Sequence, residues 1–158
     1  MDKPWKLGDL ADFPDWLPQV LEWHHAEWKR LSDHPIENEL AQKQKRERFL
    51  REHLNANPLP STFIAYQGEQ LAGTVSLVFF SSDVHLWLTN LYVDVPFRHQ
   101  GLGQRLLKKA QSFARTQGYQ ELWLYTFDSE DYYLKQGWKH EKHSVLHNQE
   151  VQVLRRFI

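Results

Sequence analysis

Apolar residues recur along this chain with two different periods, and the switches between them mark its elements. Residues 5–7 suit a short first strand. Pro14, with Asp12 as the expected N-cap, opens a helix on which Leu17, Leu21, His24, Trp28 and Leu31 recur at helical spacing. Trp16, Val20 and Trp23 widen that stripe, so the helix is expected to bury a broad face. Residues 32–35 break it and start a second helix. There Glu37 and Glu39 come first, and Lys43, Lys45, Arg46, Arg48 and Arg51 follow, the polarity the helix dipole favours. Its charges are expected to face solvent, with Ile36, Leu40, Leu50 and Leu54 turned inward.

Beyond residue 60 the period drops to two. Residues 62–66 and 71–79 read as strands joined by a hairpin turn at 67–70, and residues 81–83 turn into a third strand over 86–95. The apolar phase slips within that strand: Leu86 and Leu88 hold even positions, Leu91, Val93 and Val95 odd ones. A one-residue slip is what a β-bulge produces, and the pattern places it near Thr89 and Asn90. Pro96 ends the ladder because it has no N–H to donate. A helix follows with Leu102, Leu106, Ala110 and Phe113 on one face and Gly118 as its stop. Residues 122–127 are apolar on both faces, as a central strand is. A short helix over 129–136 ends at Gly137, and strands 138–146 and 151–158 close the chain as a hairpin. The order is β-α-α-β-β-β-α-β-α-β-β, an α/β fold in one domain.

Composition narrows the function classes. A chain of 158 residues with formal charge −1 suits one core and carries no strong basic field, so neither nucleic acid nor a membrane is an expected partner. The absence of cysteine removes disulfides, thiolate zinc sites and a cysteine nucleophile. No apolar stretch reads as a signal peptide or a membrane span, so a cytoplasmic protein is expected. His140, His143 and His147 lie near one another in sequence, but alternation on a strand turns His140 away from the other two, and no metal is expected.

The chemistry concentrates where the third strand meets the third helix. Arg98, Gly101 and Gly103 form a turn opening directly into the helix, whose first N–H groups lack partners and carry the positive end of its dipole. Glycines there let a phosphate approach the main chain, and Arg98 can add a charge-assisted contact. Neither the P-loop signature nor the dinucleotide fingerprint is present.

Arg98-x-x-Gly101-x-Gly103, after the run Leu91-Tyr-Val-Asp-Val-Pro96, resembles the acetyl-CoA pyrophosphate loop of the GNAT N-acetyltransferases. Tyr133-Leu-Lys-Gln-Gly-Trp138, with the strand before it, is similar to the next conserved segment of that family, a Tyr-x-Lys-x-Gly-aromatic ending. Together they cover about residues 60–145, the expected acetyl-CoA core of a single domain over 1–158; residues 10–58 form the helical acceptor side.

The resemblance implies a mixed central sheet whose middle strands splay apart, and an acetyl-CoA-dependent N-acetyltransferase acting by direct attack in a ternary complex. Acetyl-CoA would be the cosubstrate, with its pyrophosphate on the main chain of Arg98, His99, Gln100, Gly101, Leu102, Gly103 and Gln104 and its pantetheine arm along Leu91, Tyr92 and Val93. Asp128 is expected on the cofactor side as well. The backbone N–H of Leu91 would polarise the thioester carbonyl, and Tyr133 would act as general acid toward the leaving thiolate. Many relatives carry a strand glutamate as base, but residues 86–93 hold no carboxylate. His85 is the expected base, with Asp83, His24, Glu27, Asp128 or a water chain as alternatives. The acceptor would be a small-molecule, peptide or protein amine, and the chain a monomer or homodimer. A GNAT-like acyl-CoA sensor or regulatory module with little turnover is the alternative function.

Overall fold

The computed structural model describes residues 4–32, 36–55, 58–80 and 83–158. Period-two alternation sorts the strand side chains onto two faces of one seven-stranded sheet. Its strands are β1 (Lys6–Asp9), β2 (Ser61–Gln67), β3 (Gln70–Phe79), β4 (Leu86–Val93), β5 (Glu121–Thr126), β6 (Lys139–Leu146) and β7 (Gln149–Phe157), in spatial order β1-β2-β3-β4-β5-β7-β6. Neighbours are antiparallel except β4 and β5, which run parallel, so the sheet is mixed. Among the described residues four α-helices accompany it: α1 (Leu17–Leu31), α2 (Glu39–Asn55), α3 (Leu102–Thr116) and α4 (Glu130–Lys135).

One face carries the larger core, in which Leu102, Leu106 and Ala110 of α3 pack on Phe63, Val75 and Leu88. Ile64 and Leu71 face the other way and join Leu17, Val20 and Leu21 of α1 and Leu50 of α2. Trp87, Trp123 and Val153 form a separate aromatic cluster on the inner strands. The bulge expected from the phase slip is present. Thr74 pairs with Tyr92 and Ser76 with Thr89, so β4 spends one more residue than β3 over this span. Asn90 takes φ +55° there. As a result Leu91 and Val93 reach the same core as Leu86 and Leu88 despite the change of parity.

Several elements begin or end elsewhere than the pattern suggests. β1 covers Lys6–Asp9 rather than 5–7. The first cap is Asp9, whose Oδ1 accepts from Ala11 N at 2.9 Å, and not Asp12. Pro14 starts a single 3₁₀ turn, and α1 proper begins only at Leu17. β4 stops at Val93, because Asp94 caps a 3₁₀ turn over Val95–Phe97. Leu40 is 70% exposed rather than inward. The first turn of α2 meets α1 through charged side chains, with Glu39 bridging His25 and Lys29 and Lys43 pairing with Glu22, and Leu40 lies off that seam. Residues 33–35, in the break between α1 and α2, lie outside the described residues, as do residues 81 and 82 of the turn before β4. Among the described residues no helix is long and apolar enough to cross a membrane.

Candidate active site

The site begins with a defect in the sheet. β4 and β5 touch through one registered pair, Trp87↔Trp123, while β5 pairs with β7 along its whole length. Past Trp87 the two parallel strands diverge, so β4 backbone from the bulge to Val93 has no strand partner on the β5 side. Ladder groups left free in this way accept an extended ligand as a substitute strand. The gap opens into a cavity of about 200 Å³, walled by Asn90 and Leu91 of β4, Leu124 and Tyr125 of β5, and Tyr133 of α4, with Glu27 and Trp28 of α1 above.

Side chains from the opposite layer hold the bulge. Thr74 Oγ1 donates to the Asn90 carbonyl at 3.1 Å, and His24 Nε2 lies 3.0 Å from Thr74 Oγ1. A hydroxyl has one proton; with that proton on Asn90, Thr74 accepts from His24, which fixes the Nε2–H tautomer. Burial, helped by the nearby Arg46 and His53 charges, lowers the His24 pKa to about 3, so the ring is neutral at ordinary pH.

The turn after β4 leaves main-chain donors without side-chain caps. His99 and Gly101 take φ +65° and +80°, and Gly101 is the N-cap of α3 without any side chain bonded to the first N–H groups. Left-handed positions leading into an uncapped helix start make a concavity of N–H donors. Arg98 Nε donates to Val93 O at 2.7 Å, and Tyr92 Oη donates to Asp94 Oδ1 at 3.3 Å. Gln100 accepts from Trp5 Nε1 at 3.2 Å, and Arg105 donates to Trp5 O at 2.9 Å, so the start of the chain braces the loop. Gly103 has a separate reason to be glycine: a Cβ there would lie 2.7 Å from Tyr132 Oη. These residues would seat a pyrophosphate on main chain.

Tyr133 is half-buried between Tyr132 and Trp138, with ring centroids 5.2 and 6.1 Å away. Burial above all, then the neighbouring Tyr132 and the Asp128 charge, pushes its phenol well above the ordinary value, so it stays protonated. At the cavity mouth Arg30 donates to Glu27 at 2.9 Å and reaches Asp128 Oδ2 at 3.5 Å, tying α1 to the end of β5. Asp128 also accepts from Ser129 Oγ at 2.9 Å.

A sequence model of the Acetyltransferase (GNAT) family matches residues 17–138. The chain belongs to that family. Solved structures share its fold. The PaiA N-acetyltransferase of Thermoplasma acidophilum, in complex with coenzyme A, aligns over 99% of this chain and 100% of its own, at TM-score 0.75 and 18% identity. A GNAT acetyltransferase of Staphylococcus aureus Mu50 aligns over 98% and 99%, at 0.76 and 17%. Aminoglycoside 6'-acetyltransferase type Ii aligns over 96% of both chains, at 0.73 and 15%. No curated protein sequence matches.

Within this GNAT fold the residues singled out from the sequence are only partly gathered. Leu91, Tyr133 and Asp128 wall one cavity, together with the alternative bases His24 and Glu27. Arg98 to Gln104 lie on the loop and first turn of α3, and Leu102 turns its side chain into the core. His85 stands apart at the head of β4: its ring stacks on Trp123 at 4.3 Å, and its nitrogens lie 3.7 Å from Asp83 and Glu121. His85 lines neither this cavity nor the larger one beside it. His140 and His143 do not face apart as strand alternation suggests. A register shift between His140 and Lys142 brings their rings to 4.9 Å, and His140 Nε2 pairs with Gln152. Among the described residues no group of three or more potential ligands is placed to hold a metal. Tyr125, Arg30 and Arg46 line the cavity without having been singled out, and Tyr132 lies beside Gly103. Arg46 had a signal, since it shares helical spacing with Leu50 and His53, both buried.

Proposed function

We propose that this chain is an acetyl-CoA-dependent N-acetyltransferase that moves the acetyl group to a primary amine by direct attack within a ternary complex. The observation that carries the reading is the coincidence of three features in one place: diverging β4 and β5, the bulge at Asn90, and Tyr133 on the same cavity wall. The main chain from Arg98 to Gln104 holds the pyrophosphate, and the backbone of Leu91 to Val93, which has no strand partner on the β5 side, takes the pantetheine amides. Leu91 N–H, preorganised by the His24–Thr74–Asn90 chain, polarises the thioester carbonyl and steadies the oxyanion formed on attack. As the carbon–sulfur bond breaks, Tyr133 gives its proton to the departing thiolate, which a poorly solvated site would otherwise hold as a bare charge.

The amine must lose a proton to attack. Glu27 and Asp128 on the cavity wall, or water leading from them to bulk, serve this step better than His85 on its stacked perch or His24, whose burial makes it too weak a base. Thiol release from acetyl-CoA across amines, aminoglycosides and peptides, with a no-acceptor control, tests the proposal. Release that depends on one acceptor class is the expected result. Tight acetyl-CoA binding without release for any acceptor would move the chain to the sensor function.

A further inference from the structure

A second cavity, of about 530 Å³, adjoins the first and shares His24, Arg46, Thr89, Asn90 and Tyr125 with it. Its remaining wall is largely apolar, with Leu21, Phe49, Leu50, Val78, Phe79 and Phe80. Phe49 and Phe79 are 54% and 43% exposed, although α2 around Phe49 is otherwise charged. Exposed aromatic rings gathered at one cavity mouth mark a binding surface more often than an accident of packing.

At the junction of the two cavities lies an uncompensated charge. The Arg46 guanidinium sits 4.5 Å from the Trp28 ring centre, and its Nε is buried without a hydrogen-bond partner. Among the described residues no carboxylate pairs with it. Glu27 and Asp128 on the first cavity are engaged by Arg30, and Glu52 stands exposed at the rim of the second. Tyr125, Thr89, Asn90 and the neutral His24, none of them an anion, share the junction with it. A guanidinium partly withdrawn from water, with its Nε donor free, gains from an anion that completes it, and its planar fork suits a carboxylate.

We infer that the junction is a carboxylate subsite and the second cavity a side-chain subsite, so that the acceptor is an amino acid with a large apolar, preferably aromatic, side chain. Its carboxylate meets Arg46, its side chain enters the aromatic cavity, and its amine is left facing Leu91 and Tyr133. The choice of acceptor rests on the transferase reading above; the carboxylate subsite does not.

The full chain saturated with coenzyme A is titrated calorimetrically with 3-phenylpropionate and with its uncharged analogue 3-phenylpropanol. The carboxylate is expected to bind at least about tenfold more tightly, the scale of one charged hydrogen bond. Arg46→Gln closes that gap, while Arg46→Lys keeps part of it. Coenzyme A affinity and melting temperature, measured on both variants, show that each is folded. Equal binding of the two probes, or a gap that survives Arg46→Gln, overturns the subsite. Thiol release is then compared between L-phenylalanine and 2-phenylethylamine. A preference for the amino acid that Arg46→Gln removes is expected, and equal rates overturn the acceptor assignment. No release with either, alongside release with another acceptor class, overturns the acceptor assignment; no release with any class overturns the transferase reading; carboxylate binding that depends on Arg46 leaves the subsite standing in both cases.

Discussion

The two sides of the cleft are built from different material. On the proposed cofactor side, from the bulge of β4 to the first turn of α3, the groups on offer are backbone: the N–H of Leu91, ladder groups beyond it without a β5 partner, and uncapped amides after Gly101. On the acceptor side, α1 and α2 contribute side chains: His24, Glu27, Trp28, Arg30 and Arg46. Backbone chemistry is the same for every sequence, so a backbone-built site constrains only the residues that permit its conformation. A side-chain site can be respecified by single changes on a helix face without disturbing the sheet. The difference teaches where this protein's general chemistry ends and its selectivity begins.

Three measurements bear on that contrast, beginning with the largest expected effect. Tyr133→Phe removes the one side chain that the cofactor side contributes to proton transfer. Turnover is expected to fall by about a hundredfold or more, the ordinary contribution of a general acid, with acetyl-CoA affinity nearly kept. A rate within twofold of wild type removes Tyr133 from the mechanism and makes the cofactor side backbone alone.

The second concerns acid, which should weaken the helical side first. His24 and His53 are buried, and burial lowers their pKa values to about 3 and about 4. Both lie below the ordinary histidine value near 6.5, so the unfolded chain binds more protons between those limits. Their contribution is complete above about pH 6.5 and is lost as pH falls toward 4 and 3. Between pH 7.5 and pH 5 a loss of up to about 2 kcal/mol per histidine is expected in denaturant titrations. His24→Gln should flatten the pH dependence, and a midpoint unchanged at pH 5 in wild type would show that neither ring is neutral in the fold.

Gly101→Val gives the smallest effect of the three on stability, about 1–2 kcal/mol, because a β-branched residue must adopt φ +80°. Nothing lies near the added Cβ, so the cost is backbone conformation rather than collision. Acetyl-CoA affinity should drop with it, while 3-phenylpropionate binding on the acceptor side stays as in wild type. Loss of both would show that the two sides are not independent.

The same division explains what could be read in advance. The bulge was legible because a change of parity between Leu88 and Leu91 has few other causes, and the loop because Gly101 and Gly103 punctuate a strand–helix junction. Tyr133 was legible through its motif. Tyr132 was not: its contact with Gly103 joins α4 to α3 across the fold. Arg46 was hidden in a run of charges, and its helical spacing with Leu50 was the one sign that it is partly buried. His85 had the right position in sequence for a base, yet its ring stacks on Trp123, because it sits just ahead of β4, before the strands diverge.

The sequence by itself determined the order of elements, the slip in β4 and the glycine-dependent turn, because periodicity and conformational preference are properties of neighbouring residues. Only the tertiary structure decided the rest. The divergence of β4 and β5 depends on β5 pairing with β7, a strand from the far end of the chain. The neutral state of His24, the Thr74 bond to Asn90 and the uncompensated charge of Arg46 depend on burial between elements distant in sequence. Burial and pairing at a distance are sums over the whole packed chain, and no local stretch contains them.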